Sequence, residues 1–353
     1  MVGMLDTSGA GRSRPLVIGH RGASGVRPEH TESAYRLACR QGVDAVEPDV
    51  VVTRDGVLVV RHENEISGTT DVADHPEFAE RRTTKTVDGV ELTGWFTEDF
   101  DWAELAILRS RERLPEVRPD NREFDGREPI LRLSDVLAII DEESAASDRG
   151  IGVVLEVKHA QYFSELGHCF EQLLPPVLAE AGWADRRERL VIECFELGIL
   201  DRLRADGLAA DFVFLLEHDG SGADEVAREA AGGSAAASYA WYRSDAGLDA
   251  LAGRVEGISV DTCDLVGVGS DGAAVASDLV ERAHARGLAV FTWTLRPENR
   301  FLAAPFRIGD PQDPATASAW GDWRAAFGAI VGTGVDGIFV DHPELGAAAA
   351  RLS

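Results

Sequence analysis

Short apolar runs recur along the chain, and amphipathic stretches of helical period follow most of them. Eight runs stand out: Leu16–Gly19, Ala45–Val50, Gly152–Val157, Leu190–Cys194, Phe212–Leu216, Gly257–Val260, Ala289–Thr294 and Gly337–Val340. Each is rich in Val, Ile or Leu, as strands buried on both faces require. Helical patterns cover Thr31–Gln41, Phe163–Ala181, Leu197–Ala205, Ser277–Arg286 and Ala326–Val331. Strands alternating with helices predict a parallel sheet with crossover helices. Eight of them in a chain of 353 residues predict a TIM (β/α)8 barrel of the α/β class.

Three stretches leave this rhythm. After the second run, Thr53-Arg54-Asp55-Gly56 precedes Val57-Leu58-Val59-Val60. Asp-Gly between apolar runs signals a hairpin. A two-residue turn would pair Arg54 with Val57 and set His62 opposite Asp49; a three-residue turn would set His62 opposite Pro48. Residues 63–130 are polar and weakly periodic, too long for a structureless loop. They read as a small insertion with its own packing, entered from the C-terminal mouth of the barrel. Its Trp95 and Phe96 are expected either to face substrate or to fill the insertion's core. The alanine-rich stretch Ser221 to Ser238 reads as a helix or a loose connection. Residues 1–14 read as a disordered tail, which leaves 15–353 as one barrel interrupted by the insertion.

Charge narrows the function. With 35 Lys and Arg against 61 Asp and Glu, the net charge is −26. This excludes nucleic acid and an anionic membrane as main partners, so an anionic small molecule would need local attraction. No apolar run reaches 18 residues, and the first fourteen residues lack the apolar core of an export signal. The expectation is a cytoplasmic protein without stable membrane insertion; the oligomeric state stays open. Cys39, Cys169, Cys194 and Cys263 form no CxxC and are expected to be buried thiols.

Ionisable residues gather where barrel enzymes keep their chemistry, at the C-terminal strand ends. His20 and Arg21 end the first strand, Glu47 and Asp49 the second, Glu156 and Lys158 the third. Residues two apart on a strand share a face, so each of the last two pairs can project into the mouth. Three carboxylates meeting there would repel without a cation, and hard oxygen ligands suit Mg2+ or Ca2+. Such an ion would act on a phosphoryl oxygen, with Arg21 and Lys158 gripping others. Two histidines, His20 and His62, suit proton transfer near neutrality. Singly, each feature has a plainer explanation: a strand-end histidine is commonly structural, and Glu156 with Lys158 could be only an ion pair. Glu193 and Asp341 read as structural, capping the helices that follow. Trp293 and Phe195 read as barrel filling or as a substrate wall.

The phrases His20-Arg21-Gly22, Pro28-Glu29-His30-Thr31, Glu47-Pro48-Asp49, Val60-Arg61-His62, Glu156-Val157-Lys158 and Thr292-Trp293-Thr294 resemble the glycerophosphodiester phosphodiesterase family in order and spacing. The long insertion and Gly68-Thr69-Thr70-Asp71-Val72 resemble its GlpQ-like branch. The resemblance implies hydrolysis of glycerophosphodiesters to an alcohol and sn-glycerol 3-phosphate, in glycerol and phospholipid breakdown, with Ca2+ or Mg2+. Carried over, the metal ligands are Glu47, Asp49 and Glu156, the catalytic pair is His20 and His62, and Arg21 and Lys158 lie on the phosphate; Phe195 and Trp293 complete the expected substrate-binding residues as its wall. Pro48 and Glu63 depart from the family's usual residues. Two rivals are a lysophospholipase D or sphingomyelinase D-like enzyme, which would want an apolar rim, and a silent binding protein on the same scaffold.

Overall fold

A computed structural model describes residues 14–310 and 313–351. The expected tail, apart from Arg14, lies outside the described residues; Arg14 pairs with Asp44 at 2.7 Å. The strands are β1 (Leu16–His20), β2 (Ala45–Glu47), β3 (Asp49–Val52), β4 (Leu58–Val60), β5 (Thr83–Val87), β6 (Val90–Gly94), β7 (Gly152–Val157), β8 (Leu190–Cys194), β9 (Asp211–Leu216), β10 (Gly257–Asp261), β11 (Val266–Val268), β12 (Ala274–Ala276), β13 (Ala289–Leu295) and β14 (Gly337–Val340). β1 pairs in parallel with β2 and β14, and pairing runs on through β13, β10, β9, β8 and β7 back to β2. The result is the closed eight-stranded α/β barrel that the alternation predicts.

β2 and β3 are one barrel strand, interrupted only where Pro48 has no N–H to donate. Ala45 faces Gly152 and Asp49 faces Glu156, which is the same register on both sides of the proline. The hairpin differs from the two-residue expectation. Val52 faces Leu58 and Val50 faces Val60. Thr53 closes a three-residue loop instead: its N–H donates to Val57 O at 3.0 Å and its Oγ1 accepts from Val57 N at 2.9 Å. Gly56 takes the left-handed conformation, φ +81°, that such loops need at their third position. The shift by one residue places Arg61, not His62, against Asp49, whose carbonyl accepts Arg61 N–H at 3.1 Å.

The helix expected over Phe163–Ala181 is two, Ala160–Glu165 and Phe170–Glu180. They part at Gly167, φ +89°, a backbone turn that continues no helix. The alanine-rich stretch holds a helix over Ala223–Ala230 and an irregular return. Two of the four thiols depart from burial: Cys263 is exposed and Cys169 half-buried.

Two hydrophobic layers organise the molecule. Inside the barrel, Leu16, Ile18, Ala45, Val154, Val191, Val213, Ala289, Phe291 and Phe339 form the filling, with Trp293 resting on it. Outside, the helices pack on the alternate strand residues. Phe78, Trp95 and Phe100 of segment 63–130 join that outer core together with Val136 and Leu137. Trp95 and Phe96 are both buried there, and the Trp95 indole N–H donates to Phe78 O at 2.7 Å.

Candidate active site

Strand parity builds the site. Leu16 and Ile18 point into the barrel, so His20 does too. The same two-residue step leads from Ala45 to Glu47, from Val154 to Glu156, from Val191 to Glu193 and from Phe339 to Asp341. The filling layer therefore supports a polar layer at the C-terminal mouth. His20, Arg21, Glu47, His62, Glu156 and Lys158 all line one cavity there, with Phe195 and Trp293 on its wall.

Glu47, Asp49 and Glu156 offer oxygens that all lie within 4.8 Å of one another. The backbone turns to meet them: Arg21, at φ +56°, donates its N–H to Glu47 Oε2 at 2.8 Å. Asp49 Oδ2 accepts from His30 Nε2 at 2.9 Å and forms an ion pair with Arg21 Nε at 3.3 Å, off the hydrogen-bond line. Glu156 Oε1 accepts from Lys158 Nζ at 2.8 Å. Glu47 Oε1 and Asp49 Oδ1 are buried and have no hydrogen-bond partner. Buried polar atoms seldom stay orphaned, and an all-oxygen set with two orphaned members fits a hard divalent cation.

The electrostatics agree. Burial and the neighbouring Asp49 hold Glu47 well above the usual carboxylate range. Burial, with Asp49 adding to it against the pull of Lys158, raises Glu156 to about 8. Burial also acts to raise Asp49, but Lys158, His62 and His30 keep it below its ordinary value. Three carboxylates in one buried space cannot all ionise on lysine and arginine alone. A cation among them would remove the conflict.

His20 is held from behind. Its Nδ1 donates to Asp341 Oδ1 at 2.6 Å. That contact fixes the ring and leaves Nε2 with its lone pair. Burial and Arg21 depress His20 to about 4 despite Asp341, so the ring is neutral near pH 7. Burial, Arg21 and Lys158 lower His62 to about 3; its side chain keeps 23% exposure at the mouth, and water there offsets part of the push. His62 Nδ1 lies 2.8 Å from Glu63 Oε1 but off the hydrogen-bond line. Arg21 is less free than its place suggests, because Nη1 donates to Glu29 at 2.8 Å, and Glu29 also takes Arg113 at 2.7 Å. Lys158 lies 5.6 Å from the Phe195 ring, which meets Trp293 edge to face at 5.7 Å. Trp293 thus both caps the filling and walls the cavity.

All nine candidate residues therefore gather at one mouth. Sequence reasoning missed others. Asp341 caps no helix with its side chain; it serves His20. Glu193 is buried beside Glu156, its register partner, with Oε2 unpartnered. Both share inward parity with Val191 and Phe339, and that signal was in the sequence. Glu29 and His30 act through loop geometry that no periodicity shows. Asp261, also at a strand end, accepts from Cys263 N at 2.7 Å and only caps a short helix.

Comparisons with known proteins converge. Residues 20–345 match the Glycerophosphoryl diester phosphodiesterase family. A relative from Arabidopsis thaliana, Glycerophosphodiester phosphodiesterase GDPD6, is 30% identical over 341 residues, 93% of this chain and 84% of that protein. Mycobacterium tuberculosis H37Rv has a relative named "Probable glycerophosphodiester phosphodiesterase 1", 54% identical over 191 residues, 54% of this chain and 60% of its own length. Among solved structures, a phosphodiesterase from Oleispira antarctica in complex with the product sn-glycerol-3-phosphate aligns with TM-score 0.59 at 19% identity, covering 96% of this chain and 97% of that one. A glycerophosphodiester phosphodiesterase from Agrobacterium tumefaciens C58 aligns with TM-score 0.57 at 18% identity, covering 95% and 99%. These two likenesses concern the fold. The family match spans nearly the whole barrel and includes the strand ends that carry the mouth, so the chain belongs to the glycerophosphoryl diester phosphodiesterase family and is a hydrolase of glycerophosphodiester-type substrates.

Proposed function

We propose that this mouth hydrolyses glycerophosphodiesters to an alcohol and sn-glycerol 3-phosphate, in the manner of the GlpQ-like branch, with one divalent cation, Ca2+ or Mg2+. The observation that carries the reading is the meeting of Glu47, Asp49 and Glu156 with two buried oxygens unpartnered. These three residues would hold the cation, which when bound supplies Lewis-acid stabilisation at a phosphoryl oxygen. Lys158 and Arg21 add positive charge beside it, and Phe195 with Trp293 gives the organic part of the substrate an apolar wall. Neutral His20 presents Nε2 to the reacting phosphorus or to a proton. His62 is the partner for the departing alcohol: an anionic phosphate beside it opposes the push of Arg21 and Lys158 and favours its protonated form. Segment 63–130 is a unit inserted into the barrel, and 15–353 is one catalytic domain. Four unpaired cysteines suit a reducing compartment, so we place the enzyme in the cytoplasm, which cell fractionation tests.

The central test is turnover of glycerophosphocholine with product identity read by an enzyme specific for sn-glycerol 3-phosphate. Activity should vanish in EDTA and return with Ca2+ or Mg2+. Full turnover after exhaustive chelation, or phosphocholine as product, would overturn the reading.

One observation favours the lipid reading as second. Val90 and Val226 line the same cavity and are 58% and 52% exposed, an apolar rim facing water. A lysophospholipase D-like enzyme would use it for an acyl chain. Turnover of lysophosphatidylcholine above that of glycerophosphocholine, lost in Val90→Asp with Val226→Asp, would establish that reading; equal loss on both substrates would dismiss it.

A further inference from the structure

Segment 63–130 reaches the mouth at several places, Glu63 and Arg113 among them. Another is the tip of the β5–β6 hairpin, where Asp88 meets His159. Arg118 lies behind the mouth and lines no part of its cavity. Arg118 is 7% exposed, and all three of its guanidinium nitrogens have partners. Its Nη2 donates to Asp341 Oδ2 at 2.6 Å, its Nε to Glu298 Oε1 at 2.8 Å and its Nη1 to Ser24 O at 3.1 Å.

Two of those partners lead to the same histidine. Asp341 uses its other oxygen, Oδ1, on His20 Nδ1. Ser24 donates its hydroxyl to the His20 carbonyl at 2.8 Å, and Asn121, three residues after Arg118, also donates to Ser24 O at 3.3 Å. The ring and the backbone of His20 are thus both tied to one residue of the insertion. Glu298, 2% exposed, anchors the guanidinium from the far side.

We infer that Arg118 is a positioning residue for His20: through Asp341 and Ser24 it fixes the tautomer and the aim of the imidazole. The two oxygens of Asp341 divide the labour. Arg118 and Arg296, the latter at 2.7 Å, both occupy Oδ2, so Oδ1 is left as the acceptor for His20. Their charges hold Asp341 well below the usual carboxylate range against the cost of burial, so it accepts and never donates. An ionised acceptor at Nδ1 selects the tautomer with Nε2 free. The insertion therefore takes part in the chemistry's geometry and not only in substrate choice.

The inference rests on the reading of His20 as a catalytic group, and the test separates the two. Arg118→Met and Arg118→Lys are prepared beside Asp341→Asn, the double variant Arg118→Met/Asp341→Asn, and His20→Ala. Imidazole nitrogen chemical shifts of His20 are read in the resting protein, without turnover. Arg118→Met should broaden or shift the tautomer population, and Arg118→Lys, which keeps one donor and the charge, should restore part of it. kcat should fall by about ten- to a hundred-fold with KM little changed, the size usual for lost support behind a catalytic group. The double variant should lose less than the product of the two single losses, because both act in part through Asp341. An unchanged His20 signal, or losses of Arg118→Met and Asp341→Asn that simply multiply, would overturn the inference. So would a KM effect alone, or a loss wholly matched by a lowered melting temperature. Near-normal turnover of His20→Ala would instead overturn the catalytic reading, while the chemical shifts still decide whether Arg118 positions the ring.

Discussion

At the scale of the residue, the proposed function divides the mouth into groups that hold a cation and groups that move protons, and substitutions should separate the two. Glu47→Gln keeps shape and removes a charge from a set whose Oε1 has no other partner. Calorimetric titration with Ca2+ or Mg2+ should show weaker binding, and EDTA-sensitive turnover should fall with it. His62→Ala should leave that titration largely intact while kcat drops by roughly two to four orders of magnitude, the range for a lost acid or base. Turnover measured beside the titrations checks both. The nine candidate residues were legible because strand-end position and inward parity can be read from spacing. Asp341 has the same parity as Phe339 but was assigned to a cap, because its partner His20 lies at the opposite end of the sequence. No local pattern links them. His30 stands in the phrase Pro28-Glu29-His30-Thr31, but its contact was hidden: its φ of +58° and its bond to Asp49 belong to a loop.

At the scale of the element, strand existence followed from apolar runs, while register and breaks depended on turn chemistry. The hairpin slid by one residue because Thr53 could bond both ways to Val57 and Gly56 could take positive φ. The split of the Phe163–Ala181 helix has the same source in Gly167. The β5–β6 hairpin supplies a further prediction. Its turn residue Asp88 meets His159 Nδ1 at 2.6 Å, and Glu63 lies 3.2 Å from Nε2. Burial opposes the charge on His159, but Asp88 and Glu63 outweigh it and raise the ring to about 9. A histidine raised on folding stabilises fully below its unfolded value near 6.5 and loses that contribution as pH climbs through about 9. Amide exchange in Thr83–Gly94, corrected for the intrinsic pH dependence, should therefore quicken across that window. In His159→Gln it should be fast throughout, with no step in the window; an unchanged step would assign the titration to another group.

At the scale of the whole molecule, barrel closure followed from strand count and chain length. The path of segment 63–130 did not, because its contacts to Glu29, Ser24 and Asp341 are long-range and polar, and hydrophobic period carries no record of them. The buried carboxylates have a global consequence. A cation that binds only the folded barrel should stabilise it by about 2.7 kcal/mol at a hundred times its Kd. Thermal melts with and without Ca2+ or Mg2+ should show the shift, and Glu47→Gln should reduce it. The filling layer is equally strict: a Cβ on Gly337 would lie 2.3 Å from the Phe291 ring. Gly337→Ala should cost about 1–3 kcal/mol through overpacking, read by denaturant unfolding.

β1 and β14 lie side by side in the barrel although they are the first and last strands described. His20 stands on one and its partner Asp341 just past the other, so the proposed catalytic histidine and its support straddle the seam where the sheet closes. Seen from the ribosome, that arrangement postpones competence. His20 cannot gain its Asp341 acceptor until the residues after β14 have left the ribosome. A product truncated before Asp341 would keep Glu47, Asp49 and Glu156 in its sequence but lack the acceptor that holds His20.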